Sequence, residues 1–203
     1  MIIGFFASFI GFTIIISVFL KRNSRQSREQ VQRFWAREAE ANSVRRKSLD
    51  GLHYIKIPLE DFPTQLLPEN PVVTECIDIL KTLATQKIVN LTGWSNTDLK
   101  LEYGTANITL LSDYDQNFTL LVRTLQKWAD ALIESQYMEE ATVLMEYAIS
   151  VETDVSRTYY LLADYWLSQG EDCQVERLIK TAEGLHSASK EPIVRKLREK
   201  LNK

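Results

Sequence analysis

The chain predicts an all-α fold behind a membrane-spanning helix, and three observations carry that prediction. Residues 2–20 contain no charged side chain. From residue 71 onward apolar side chains recur at three- and four-residue steps, the spacing of one helix face, and no sustained two-residue alternation competes with it. From Val122 onward the sequence also matches itself when slid by 34 residues, the mark of a repeated structural unit.

The first element is "MIIGFFASFIGFTIIISVFL". Nineteen helical residues, Ile2 to Leu20, rise about 28 Å, close to the roughly 30 Å of bilayer hydrocarbon. A cleaved signal peptide is the main rival and a buried core helix the other. A signal peptide carries positive charge ahead of its apolar run and a small-residue cleavage site after it, whereas here Lys21 and Arg22 follow directly. Lys21, Arg22, Arg25 and Arg28 crowd the carboxyl side, and positive charge stays in the cytoplasm. The expected topology is single-pass, N-terminus outside and residues 21–203 inside, in the plasma membrane of a bacterium. Gly4, Ala7, Ser8 and Gly11 fall on one helical face, where small residues let two such helices meet as a homodimer. Cys76 and Cys173 are isolated, which suggests neither a disulfide framework nor a metal site. The sequons at Asn90, Asn107 and Asn117 argue for an extracellular domain, against the charge rule.

Charge is distributed unevenly. Residues 21–48 hold nine Lys or Arg against three Glu, a balance of +6, while residues 49–189 hold nine against 22 Asp or Glu, a balance of −13. Lys21, Arg22, Arg25 and Arg28 are therefore candidates for contact with anionic lipid, each basic residue contributing about 1 kcal/mol near the surface. The alternative is that they only fix topology. Nucleic acid is not an expected partner, since the large acidic region repels phosphate.

Between anchor and domain, residues 21–48 contain good helix formers without Gly or Pro, and Val31, Phe34, Trp35 and Ala39 fall near helical spacing. A basic helical stalk is expected, without the heptads of a coiled coil. Residues 49–70 hold Gly51, Pro58, Pro63 and Pro68, which forbid a continuous helix and give an extended connector. Its His53–Ile57 run alternates like a strand but has no evident partner, so it is expected to lie along the helical domain of residues 71–203.

Asn70 before Pro71 signals a helix start, and Val73, Cys76, Ile77, Leu80 and Ala84 form a candidate buried stripe. Ser95, Asn96 or Thr97 is placed to cap a short helix that Gly104 ends. Asp98, Glu102, Asp113 and Asp115 lack the glycines, ligand order and closing glutamate of a calcium loop, and read as solvated helix caps.

The self-similar region aligns Leu125 with Tyr159, Trp128 with Leu162, Ala129 with Ala163, Leu132 with Trp166, Gln136 with Gly170, Ala141 with Val175, Met145 with Ile179 and Ala148 with Ala182. Each unit, 122–155 and 156–189, is a helix, a short turn at Gln136 or Gly170, and a second helix. This resembles the tetratricopeptide repeat, a 34-residue helical hairpin with large, small and aromatic residues in its first helix, Gly at the turn and Ala in its second. The departures are Trp128 where Leu is usual, Gln136 where Gly is usual, Val175 where Ala is usual, and no closing proline before Pro192. A generic helical bundle would share the apolar spacing but not the register of small residues.

Two repeats need neighbours to bury their faces. Helices between residues 71 and 121 are expected at one end, and a C-terminal capping helix at the other. In that helix Ile193, Leu197 and Leu201 form a stripe while Arg195, Lys196, Arg198, Lys200 and Lys203 face water. The resemblance implies an adaptor that holds a protein or peptide on a concave surface lined by first helices, with Gln126, Asp130, Ile133, Tyr160, Asp164 and Leu167 on or near it. Asp130 and Asp164 at equivalent positions imply a basic or amphipathic ligand, the chain's own basic stalk included, with the connector around Tyr54 and Ile57 as the other candidate surface. A structural subunit that recruits nothing is the second reading and an enzyme the third. His53 and His186 are the only histidines, and no phosphate loop, nucleophile elbow, cofactor motif or metal motif appears.

Overall fold

A computed structural model describes residues 28–202. The predicted anchor at residues 2–20, its small-residue stripe, and Lys21, Arg22, Arg25 and Lys203 lie outside the described residues. Among the described residues no helix is long and apolar enough to cross a membrane. The all-α expectation holds: the described residues form helices and short 3-10 turns, with no strand. The helices are α1 (28–43), α2 (Pro71–Leu83), α3 (Asn96–Tyr103), α4 (Ile108–Glu134), α5 (Met138–Ser150), α6 (Ser156–Ser168), α7 (Asp172–Glu183) and α8 (Lys190–Leu201).

The chain divides into two compact units. Among the described residues, one unit joins 28–47 with 95–108, and the other joins 48–94 with 109–202. In the first, α3 starts with a capping box: the Ser95 hydroxyl accepts from Asp98 N–H, and the Asp98 carboxylate accepts from Ser95 N–H. The helix stops at Gly104, whose φ of 86° and ψ of 147° belong to a region open essentially to glycine alone. A Cβ there would stand 2.2 Å from the Arg45 carbonyl oxygen, so this glycine also permits close approach of the residues that follow α1.

Few apolar side chains are buried in this unit, Ala41 and Leu99 among them, and polar contacts specify the pairing. Arg37 Nη2 lies 2.6 Å from Asp98, Lys100 lies 3.0 Å from Glu38, and the Thr97 hydroxyl also donates to Glu38. Asn107 is fully buried, donating to the carbonyls of Lys47 (2.8 Å) and Tyr103 (2.7 Å) and accepting from Arg46 Nε (3.0 Å). Residues 37–47 are thus pinned to α3 and the turn that follows it.

In the second unit one apolar cluster runs from Phe62 through α2 and α4–α8 to Leu197. Asn70 caps α2, its side-chain oxygen accepting from Val72 N–H at 2.9 Å, and Val73, Cys76 and Leu80 are buried as expected. The stripe closes with Leu83, because the helix ends there and leaves Ala84 exposed. The His53–Ile57 run forms no strand; Ile55 N–H donates to the Ile88 carbonyl and the Tyr147 hydroxyl to the Lys56 carbonyl. Phe62, in the connector, enters the core and meets Trp128 and Tyr147 edge to face.

Helix α4 spans 27 residues and begins well before the repeat boundary at Val122. Nothing between residues 108 and 121 interrupts a helix, and Leu111, Phe118 and Leu121 extend its buried stripe. Farther on, α6 packs against α5, α7 and α8, and α7 packs against α8. In α8, Ile193 and Leu197 are fully buried as the sequence predicts, joined by Val194, whereas Lys200 is mostly covered and pairs with Asp164 rather than facing water.

Candidate partner-binding face

Two turns organise the region where the candidate residues lie. Gln136 and Gly170, 34 positions apart, adopt φ of 70° and 74°. Around them Tyr137 N–H donates to the Leu132 carbonyl and Glu171 N–H to the Trp166 carbonyl, both at 2.9 Å. Gln136 N–H donates to Ile133 and Gly170 N–H to Leu167, so the local hydrogen bonds repeat at the same interval. Each hairpin is closed by a single left-handed residue, which lets the next helix start at Met138 or Asp172.

Contacts between first helices follow the same register. Thr158 Oγ1 on α6 donates to Gln126 Oε1 on α4 at 2.6 Å, and Tyr160 OH on α6 approaches the Pro192 carbonyl on α8 at 3.5 Å, each across 32 residues. Gln126 and Tyr160 are equivalent positions in the 34-residue register, as are Thr158 and Pro192.

The six candidate residues therefore share one series of helices but differ in accessibility. Gln126 is buried, its amide nitrogen donating to Asp130 at 2.9 Å while its oxygen accepts from Thr158. Asp130 accepts a forked pair of bonds, at 2.9 and 3.1 Å, from Arg157 Nε. Ile133, Tyr160 and Leu167 are half-buried against the core, and Asp164 is exposed but paired with Lys200. The expected acidic groove is thus internally compensated: both aspartates already hold a cation from a neighbouring helix. Nothing in the sequence marks Arg157 and Thr158, and Lys200 reads there as facing water, because Arg157 and Lys200 meet the aspartates, and Thr158 meets Gln126, only once successive helices stack. No local spacing signals such contacts.

Gln126 and Asp130 also border an open cleft of about 440 Å³ between the start of α2 and α4, where Arg123 and Lys127 stand with Glu134. A second cleft, about 480 Å³, lies along the connector residues His53–Lys56 and the end of α5. Asn90 holds its wall, donating to the carbonyls of Val151 and Glu152, both at 3.2 Å. Tyr54 reaches this cleft, as the alternative surface requires, and its hydroxyl donates to the Leu49 carbonyl. Burial pushes the Tyr147 phenol, on the same wall, up to about 12.

Several of the remaining flagged residues have structural employment. Asp98 caps α3 and Asp115 accepts from Leu91 N–H at 3.1 Å, fixing the loop before residue 95. Cys76 is buried, and desolvation raises its thiol pKa, while Cys173 is exposed; both are free. Each sequon asparagine donates to a backbone carbonyl, Asn90 to Val151, Asn107 to Lys47 and Asn117 to Lys87. Among the described residues no group of three or more His, Cys, Asp or Glu could hold a metal ion.

Among the described residues, an all-helical fold with two hairpin turns 34 positions apart is the class that fold and site define. Comparison with family models, curated proteins and solved structures finds no match.

Proposed function

We propose that this chain is a membrane-anchored scaffold or adaptor whose tetratricopeptide-like helices present a cytoplasmic face to a protein partner. The observation that carries the reading is the repeated turn: two left-handed residues 34 positions apart with the same hydrogen bonds, followed by first-helix contacts in the same register. That register favours a repeat array over a generic bundle, and arrays of this kind bind partners along the face their first helices share. The anchor is residues 2–20, supported by their length and lack of charge and by the basic residues that follow. The full burial of Asn107 leaves no room for a glycan there, which removes one argument for an extracellular domain.

The partner segment is amphipathic or basic. Its apolar side meets the half-buried Ile133, Tyr160 and Leu167, and its cations compete with Arg157 and Lys200 for Asp130 and Asp164. Charge reversal at either aspartate is a poor test, because a lysine at 130 would face Arg157 and one at 164 would face Lys200. Asp130→Asn with Asp164→Asn removes the charge while keeping hydrogen-bond capacity.

The decisive experiment places a photo-reactive phenylalanine analogue at Tyr160 or, as reference, at exposed Glu176 on α7, in full-length protein in its own membrane. A discrete protein adduct from position 160 and none from 176 supports the adaptor; absence of any adduct from 160 sinks it. A cytoplasm-only reporter fused after Lys203 tests topology, and activity solely of an exported reporter there would overturn the orientation.

A further inference from the structure

Helix α1 has one longitudinal face with two fates. Toward its C-terminal end, Glu38 and Ala41 are covered by α3 and the segment behind it: Glu38 is held by Thr97 and Lys100, and Ala41 is fully buried. One to two turns earlier the same face continues as Val31, Phe34 and Trp35, which sit at helical spacing with 38 and 41. These three are 52%, 55% and 65% exposed. Phe34 and Trp35 pack only edge to face on one another, ring centroids 5.4 Å apart, so a contiguous apolar patch faces outward. A buried face that ends in bare aromatics asks what covers them.

The charges beside the patch and the chain ahead of it select the occupant. Arg28 is exposed, three positions before Val31 and seven before Trp35, on the side of the helix that carries the patch. Seven residues separate Arg28 from the uncharged run that ends at Leu20, and three of those seven, Lys21, Arg22 and Arg25, are basic. Trp35 lies only about 10 Å along the helix axis from Arg28. Aromatic residues flanked by arginines, tethered this close to an apolar segment of bilayer length, match the composition of a helix lying in the headgroup layer.

We propose that the first half of α1 is a membrane-surface helix, which inserts Val31, Phe34 and Trp35 among anionic lipid headgroups while Arg28, beside them on the helix, meets the phosphates. This rests on the anchor reading for its proximity to the bilayer. It goes beyond that reading in fixing which face is wetted by lipid and in what orientation: α1 lies along the surface, since an upright helix would carry Trp35 away from the headgroups. The second half of α1, clamped to α3, then holds its whole compact unit at a set distance from the membrane.

The test uses full-length protein reconstituted into vesicles of phosphatidylcholine with phosphatidylglycerol. Tryptophan emission is compared between the native chain and Trp35→Phe, so that the difference isolates Trp35. The expected difference spectrum is blue-shifted, quenched at least twofold by lipids labelled near the headgroup, and shielded from iodide. That lipid quenching should fall at least twofold when phosphatidylglycerol is omitted, and should also fall in Arg28→Gln. A Trp35 component quenched by iodide but not by labelled lipid leaves the face in water and overturns the proposal. Shielding from both quenchers overturns it in favour of a second copy of the chain. An alkaline wash of the same vesicles separates the two readings: release of the protein defeats the anchor, whereas retention with Trp35 unquenched by lipid defeats the surface helix alone.

Discussion

Exchanging the residues of the two matched turns gives a test whose two halves should move stability in opposite directions. Gln136 and Gly170 adopt the same left-handed conformation, yet only one is glycine. An L-residue in that region costs about 1–2 kcal/mol relative to glycine. Glycine in turn loosens the unfolded chain by about 0.4–1 kcal/mol, so the net preference is about 0.5–1 kcal/mol. A Cβ added to Gly170 meets nothing within 4 Å, which makes Gly170→Ala a purely conformational perturbation. It should destabilise the second unit by about 0.5–1 kcal/mol, and Gln136→Gly should stabilise it by a similar amount. The turns share no hydrogen-bond partner, so the double variant should return close to the starting value. Urea unfolding followed through the emission of fully buried Trp128 reads all three, with thermal shifts of about 1–4 °C in the same directions. If Gln136→Gly weakens the fold, or Gly170→Ala leaves it unchanged, the left-handed turns are not equivalent and the repeat register loses its main support.

Three further perturbations follow from the contacts. Gly104→Ala should disrupt the first unit by more than about 2 kcal/mol, since the new Cβ meets the Arg45 carbonyl oxygen at 2.2 Å and the backbone lies in a glycine-only region; hydrogen exchange of α3 amides should rise to the unprotected rate, and unchanged protection would refute the geometry. Phe62→Ala should cost about 3 kcal/mol by chemical denaturation, as expected for an aromatic removed from a core, whereas a residue in a mere linker would cost almost nothing. Acid should loosen the first unit. Hydrogen bonds from Thr97 and Lys100 hold the Glu38 pKa below its usual value, and hydrogen bonds from Ser95, with Arg37 beside them, hold Asp98 down. A depressed carboxylate stabilises the folded form above its unfolded pKa, about 4 for these groups, and loses that contribution as pH falls through the lowered folded value. Protection of residues 96–103, corrected for intrinsic exchange, should therefore fall below about pH 4, and Glu38→Gln should flatten that dependence. A profile identical to the native chain's would show that Glu38 does not carry it.

Local chemistry alone determined much of this protein. Asn70 with Pro71 fixed the start of α2, Ser95 with Asp98 the start of α3, and Gly104 its end, because caps and breakers act through neighbours a few residues away. The 3.6-residue stripes specified an all-α fold, and the 34-residue self-match placed the turns at Gln136 and Gly170, each of which is left-handed in the structure. Only the tertiary structure decided what meets across long separations. The pairing of the basic segment with residues 95–108 depends on Arg37, Glu38 and Arg46 finding partners about 60 positions away, and no periodicity encodes that. Phe62 entered the core because a site between Trp128 and Tyr147 was there to fill, not because its own Pro-rich surroundings announced it. Asp130 and Asp164 read as a free acidic pair until stacking brought Arg157 and Lys200 against them, since a side chain's charge is written in the sequence but its counterion is set by packing.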